Sequence, residues 1–342
     1  MTLKYTSPGY SLLLLLLLFV QTSCAATPPS VGIATAHPLA TDAGLEIFNA
    51  GGNAFDAAVA VTASLAVVEP MSSGLGGGGF WLLHRAKDKY QTMLDGREKA
   101  PLAAHRDMYL DQDGNVIDGL SINGPLAAGI PGIPAAIVHL SKKYGRLPLK
   151  QVLAPAIRQA KAGFAVDEHY RRMAGFRLKA LKQSPDAEKI FLFKGNVPPV
   201  GHIIKQPELA ATLNALATQG RKGFYSGAVA KKLVEGSKAA GGIWTLKDLE
   251  EYNLVEREPV KGTYKGMKIT SAAPPSSGGI AMLGILNILE KFDLNTQSAV
   301  TQKHLIVEAM RRAYRDRSQY LGDPDFFDVP VKQLIDKSYA SE

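Results

Sequence analysis

Apolar and polar residues follow one another in blocks of helical and strand period, with glycine and proline at the joints. Residues 31–35 are apolar and predict a short strand. His37-Pro38 then opens a helical stretch through Leu45, Ile47 and Phe48 that closes at Gly51-Gly52, a common helix C-terminus. Asn53 can cap the next helix, Ala54–Val68, which stops before Pro70. That helix carries Ala57, Ala58, Ala60, Ala63, Ser64 and Ala66, side chains small enough for close approach, so it is expected to be buried. Residues 80–83 and 90–94 flank the polar stretch 85–89, which is the patterning of a two-stranded hairpin.

Helices dominate from Leu147 onward. The pattern predicts Leu149–Ala162 ending at Gly163, Pro207–Gln219 with proline in its first position, and a helix over 228–240. Thr245-Leu246-Lys247-Asp248 can form a capping box. Residues 254–260 and Met267–Ser271 read as strands, an apolar helix follows Ser276-Ser277-Gly278-Gly279 to Lys291, and a long helix covers 300–320. A chain of 342 residues suggests two domains or one large layered unit, and the absence of a linker or internal repeat favours the single unit.

The first residues have a different character. Lys4 precedes the apolar run 12–20, with seven consecutive leucines, and Ser23-Cys24-Ala25-Ala26 follows. A charged start, a short apolar core and small residues at a cleavage zone read as a secretory signal peptide over 1–26, leaving 27–342 as the body. The run is shorter than the ~20 apolar residues a bilayer span needs. The expected location is therefore periplasmic or secreted, with no stable transmembrane segment once the signal is removed. In a rival reading Cys24 is a lipidated N-terminus, although Gln21 sits where such signals usually want leucine. Cys24 is the only cysteine, so an intramolecular disulfide and a cysteine zinc site are both excluded.

The net charge is +8, but nucleic-acid binding needs a localised basic stripe, and here the basic residues are scattered. The densest group, 171–182, reads as a solvated helix face. No nucleic-acid partner is expected.

Several motifs carry less chemistry than their letters suggest. Gly74-Leu75-Gly76-Gly77-Gly78-Gly79 matches G-x-G-x-x-G but follows a helix and opens a strand, the wrong order for a dinucleotide site. It reads instead as a backbone loop needing positive φ or close approach, or as an anion nest. Asp111-Gln112-Asp113-Gly114-Asn115 resembles the start of a calcium loop, but Ile122 stands where the bidentate acid belongs, so a turn is expected. None of the seven histidines stands three or four residues from another, so no helical metal pair is available. His37 is expected to be structural. Ser276 and Ser277 have no identifiable base and read as helix caps.

Arg97 stands at the exit of the second hairpin strand, in Met93-Leu94-Asp95-Gly96-Arg97-Glu98-Lys99-Ala100-Pro101. That string occurs together with Ala36-His37-Pro38-Leu39-Ala40-Thr41, Gly51-Gly52-Asn53-Ala54-Phe55-Asp56-Ala57-Ala58 and Gly76-Gly77-Gly78-Gly79-Phe80. Pro275-Ser276-Ser277-Gly278-Gly279 and Tyr320-Leu321-Gly322-Asp323-Pro324-Asp325-Phe326 complete the set. In order and spacing the set resembles the large subunit of the gamma-glutamyltransferases, or glutathione hydrolases, over nearly everything after the signal.

The resemblance implies an α+β fold, the N-terminal-nucleophile hydrolase four-layer αββα sandwich, of which this chain is the large-subunit part only. It implies a precursor that cuts itself, and a small-subunit partner whose new N-terminal threonine attacks the gamma-glutamyl amide of glutathione and related compounds. The glutamyl group then passes from the acyl-enzyme to water, an amino acid or a peptide. Arg97 matches the arginine that grips the substrate α-carboxylate, a task suited to the guanidinium fork. The resemblance calls for no cofactor and no metal.

The family's Thr-Thr-His string is absent, and Thr301-Gln302-Lys303-His304 sits inside a helical pattern instead. No catalytic residue is therefore assigned to this chain, which is expected to stop before the processing site and to be inactive alone. Gly96 stands where many relatives carry a large residue and is expected to loosen the pocket wall near Arg97. The alternatives are a cephalosporin or glutaryl acylase of the same fold family, or a non-catalytic truncated remnant.

Overall fold

A computed structural model describes residues 31–341. The chain divides into two units, 1–34 and 35–342. The expected signal peptide and Cys24 lie outside the described residues.

Nine helices of twelve or more residues form among the described residues. They are α1 (Pro38–Asn49), α2 (Ala54–Val68), α3 (Ile133–Tyr144), α4 (Leu149–Ala162), α5 (Glu168–Lys182), α6 (Pro207–Gln219), α7 (Gly227–Ala239), α8 (Gly278–Leu289) and α9 (Ala299–Tyr320). Their ends have local causes. His37 Nδ1 accepts the N–H of Leu39 at the start of α1, which is the structural role expected of it. Asn53 and Asp56 form a reciprocal capping box at α2. Asp56 reaches further and accepts the backbone N–H of Arg146 at 2.9 Å, tying α2 to the loop before α4. Thr245 and Asp248 make a second box, on the short helix Leu246–Glu251.

The strands are β1 (Gly79–Arg85), β2 (Tyr90–Gly96), β3 (Phe164–Ala165), β4 (Ile203–Ile204), β5 (Val255–Arg257), β6 (Val260–Tyr264) and β7 (Met267–Ser271). β1, β2 and β5 make an antiparallel sheet in that order, while β3–β4 and β6–β7 are separate pairs. Two sequence expectations are corrected. Residues 31–35 form no strand, because no strand among the described residues supplies a ladder beside them. The strand expected over 254–260 is two strands, because Pro259, between β5 and β6, has no N–H to donate.

β2 is buried on both faces. Leu94 belongs to the larger core, with Val59, Ala63 and Val67 of α2 and Ile137 and Leu140 of α3. Met93 points the other way, into a smaller core with Val260, Ile280, Leu283 and Val329. The small side chains expected to bury α2 do so, with Ala60 and Ala63 fully enclosed. The sheet therefore lies between two apolar layers, and the residues leaving β2 emerge at a fixed point.

Candidate substrate-carboxylate site

β2 delivers Arg97 with its backbone held and its side chain free. The register sets Asp95 opposite Val255 and Met93 opposite Arg257, so Asp95 and Arg257 are diagonal neighbours on one face. Arg257 Nε donates to Asp95 Oδ2 at 2.8 Å. Its Nη1 lies 2.9 Å from Asp325 Oδ1. The Arg257 and Asp95 side chains are only 14% and 7% exposed. The other Asp95 oxygen accepts the backbone N–H of Arg97 at 3.1 Å. From the opposite side, the Tyr252 hydroxyl donates to the Arg97 carbonyl oxygen at 2.9 Å.

The Arg97 guanidinium is treated differently from its backbone. It is 61% exposed, and its only carboxylate partner within 4 Å among the described residues is Glu98, at 3.5 Å. A solvated pair that loose contributes little. The planar fork of donors remains available to an incoming carboxylate.

Arg97 lines a cleft of about 350 Å³ together with Glu98, Arg257, Ser277, Arg317 and Asp325. Three of the strings quoted above, around 97–101, 275–279 and 320–326, converge there. The Asp325 carboxyl is held below the usual carboxylate range, because the hydrogen bond from Arg257 outweighs its partial burial. Arg317 Nε donates to Ser277 Oγ at 3.1 Å. The expectation of a serine cap is met at one of the two serines. Ser277 makes no capping bond, and only Ser276 accepts a helix-terminal N–H, that of Gly278 at 3.3 Å. Neither serine is hydrogen-bonded to a histidine or carboxylate among the described residues.

The glycine run serves packing. It opens β1, as its order in the sequence implied, and none of its glycines has positive φ. A Cβ on Gly78 would lie 2.6 Å from both the Glu98 nitrogen and the Gly96 oxygen, so close approach is the reason for glycine there. The Gly77 carbonyl accepts the N–H groups of Gly132 and Ile133 at the start of α3. The run is not among the residues lining the cleft.

Gly96 is also corrected. A Cβ there would meet the Trp81 ring at 2.8 Å and the Ala136 methyl at 3.2 Å. The position faces a packed interior filled by Trp81, so it does not widen the cleft.

The family model for gamma-glutamyltranspeptidase matches residues 40–342. The chain belongs to the gamma-glutamyltranspeptidase family. It is 44% identical over 313 residues to the glutathione hydrolase proenzyme of Pseudomonas sp. (strain A14), covering 91% of this chain and 54% of that protein. The structure matches the gamma-glutamyltranspeptidase of Helicobacter pylori with a TM-score of 0.89 at 43% identity, covering 92% of this chain and 91% of the other. An acylase proenzyme from Pseudomonas sp. (strain V22) is less similar, at 36% identity over 91% of this chain and 57% of that protein. The chain spans about half the length of the curated relatives it matches. The α+β fold is that of gamma-glutamyltranspeptidase structures, and the chain corresponds to the family's large-subunit portion.

Arg97 stands out in the sequence of this member of the gamma-glutamyltranspeptidase family, whereas most of the residues that hold its backbone do not. Asp325 stood inside a quoted string, so its signal was present. Tyr252 and Arg257 lie in the stretch around β5, where nothing in composition or spacing marks them. Among the described residues there is no group of three or more His, Cys, Asp or Glu side chains placed to hold a metal ion.

Proposed function

We propose that this chain supplies the substrate-carboxylate clamp of an enzyme that cleaves gamma-glutamyl amides, glutathione among them. Arg97 grips the α-carboxylate through two parallel charge-assisted hydrogen bonds. The observation that carries this reading is the contrast at Arg97: a backbone pinned by Asp95 and Tyr252 beside a guanidinium with only one loose carboxylate partner among the described residues. The nucleophile comes from a small-subunit partner bearing an N-terminal threonine, which attacks the gamma-carbonyl and releases the amine. Water, an amino acid or a peptide then takes the glutamyl group from the threonine ester. The enzyme acts in the periplasm or outside the cell.

A glutaryl amide lacks the α-amino acid head group that this clamp would read, and the acylase relative is the less similar one, so the acylase alternative has less support. Arg97→Ala tests the proposal in the processed two-subunit enzyme. Loss of a partly solvated bidentate contact of about 2–4 kcal/mol corresponds to a KM raised roughly 30- to 1000-fold, with a smaller fall in kcat. Arg97→Lys restores only part of the affinity, and self-cleavage continues in both variants. An Arg97→Ala enzyme that matures normally and keeps the wild-type KM overturns the assignment.

A further inference from the structure

We propose that Arg257 is a positioning residue that acts on substrate through Arg97; the inference rests on Arg97 being the carboxylate clamp. Arg257 is almost enclosed, with 14% of its side chain exposed, and its guanidinium joins two carboxylates from distant parts of the chain. One is Asp95, at the end of β2, which receives Nε at 2.8 Å. The other is Asp325, which receives Nη1 at 2.9 Å. Asp95 is thereby fixed with Oδ2 toward Arg257, and its Oδ1 is turned onto the Arg97 backbone N–H, 3.1 Å away. A continuous chain of contacts thus runs from Asp325 through Arg257 and Asp95 to the Arg97 backbone.

The chemistry requires arginine. A guanidinium can present different N–H groups to two carboxylates at once in a fixed plane, whereas an ammonium on a flexible stem cannot reproduce that fork. Asp95 is 7% exposed, so without Arg257 a buried carboxylate loses its charged partner and must turn toward other donors. Asp95 lines the same cleft as Arg97. Arg257 therefore does two things for the clamp. It orients the Arg97 backbone, and it keeps Asp95 from competing with substrate for the Arg97 guanidinium. Its grip on Asp325 also holds a second lining residue of the same cleft.

A double-mutant cycle in the processed enzyme separates this role from a merely structural one. The variants are Arg257→Gln, Arg257→Lys, Arg97→Ala and each Arg257 change combined with Arg97→Ala. The readout is kcat/KM for a chromogenic gamma-glutamyl anilide, which reports acylation, together with the melting temperature of each protein. Arg257→Gln is expected to lower kcat/KM about tenfold or more, and Arg257→Lys by less. In the Arg97→Ala background either change has an effect below about twofold, because the route through Arg97 is already cut.

Arg257 losses that persist in full in the Arg97→Ala background overturn the proposal, as does a wild-type kcat/KM in Arg257→Gln. If Arg257→Gln does not fold, the Arg257→Lys cycle decides on the same two criteria. An Arg97→Ala enzyme with undiminished kcat/KM instead overturns the clamp reading itself, and that outcome is distinct from failure of the coupling.

Discussion

Tyr252 and Arg97 are 155 residues apart in sequence, yet the tyrosine hydroxyl donates to the arginine carbonyl oxygen at 2.9 Å. Tyr252 is held in turn by stacking on Tyr225, with ring centroids 5.5 Å apart and planes 10° apart. Burial pushes the Tyr252 hydroxyl above the usual tyrosine range, so it remains a protonated donor at physiological pH. Tyr252→Phe keeps the stack and removes the bond. It is expected to cost about 1 kcal/mol of stability, the usual net value of such a bond, with the Arg97 carbonyl left wanting a partner. Chemical denaturation of the two proteins checks this, and a stability equal to wild type would show that the bond does not form.

The glycine run gives an internally controlled prediction. Gly78→Ala places a methyl against the Glu98 nitrogen and the Gly96 oxygen, both backbone atoms that cannot swing aside. A cost of about 1–3 kcal/mol is expected, typical of overpacking. Gly76→Ala meets no atom within 4 Å and has no positive φ, so it should be nearly neutral. Thermal melts of both variants test the pair, and equal effects would contradict the close-approach account.

On the other face of the sheet, Glu256 Oε1 accepts from His139 Nε2 and Lys143 Nζ, each at 2.6 Å, and from the Tyr144 hydroxyl at 3.1 Å. Partial burial opposes its charge, but the hydrogen bonds from Lys143, His139 and Tyr144 prevail and hold its pKa below the usual carboxylate range. A depressed folded-state pKa contributes stability above the unfolded value, and that contribution is lost as pH falls through the folded value. The stability difference between the parent protein and Glu256→Gln should therefore shrink as pH falls below about 4.5, where the carboxylate protonates. Melting temperatures between about pH 5 and pH 3 decide it, and a difference that grows over that acid range would reverse the sign and refute the assignment.

α9 exposes an apolar stripe. Val300, Val307, Met310 and Tyr314 recur at helical spacing and are 79%, 53%, 42% and 56% exposed, while Ala309 and Ala313 face the core. A polypeptide of these 342 residues alone is expected to bind a hydrophobic dye, and the double change Val307→Gln, Met310→Gln should reduce that binding with little change in melting temperature. Absence of dye binding by the parent would count against an unpartnered face. Binding undiminished in the variant would place the dye elsewhere.

The sequence by itself determined the pieces whose causes are local. Asn53 and Thr245 mark helix starts because their side chains accept N–H groups within three residues. Gly163 and Gly220, both with positive φ, mark helix ends where other residues would be strained. The segments 80–83 and 90–94 and the polar turn between them specified the β1–β2 hairpin, and the hairpin placed Arg97 at a strand exit. Tertiary structure alone decided the rest. Whether Gly96 opens a cleft or packs under a ring depends on Trp81 and Ala136, which periodicity cannot place. That residues 31–35 are not a strand reflects a missing neighbour, since strand hydrogen bonds lie between segments and not within one. Asp95 and Arg257, 162 residues apart, become an ion pair only because β5 joins β2 in one register, and a shift of a single residue would turn Arg257 to the opposite face. Arg97 stood out because its string is contiguous; the residues bonded to its backbone did not, because what relates them is distance in space.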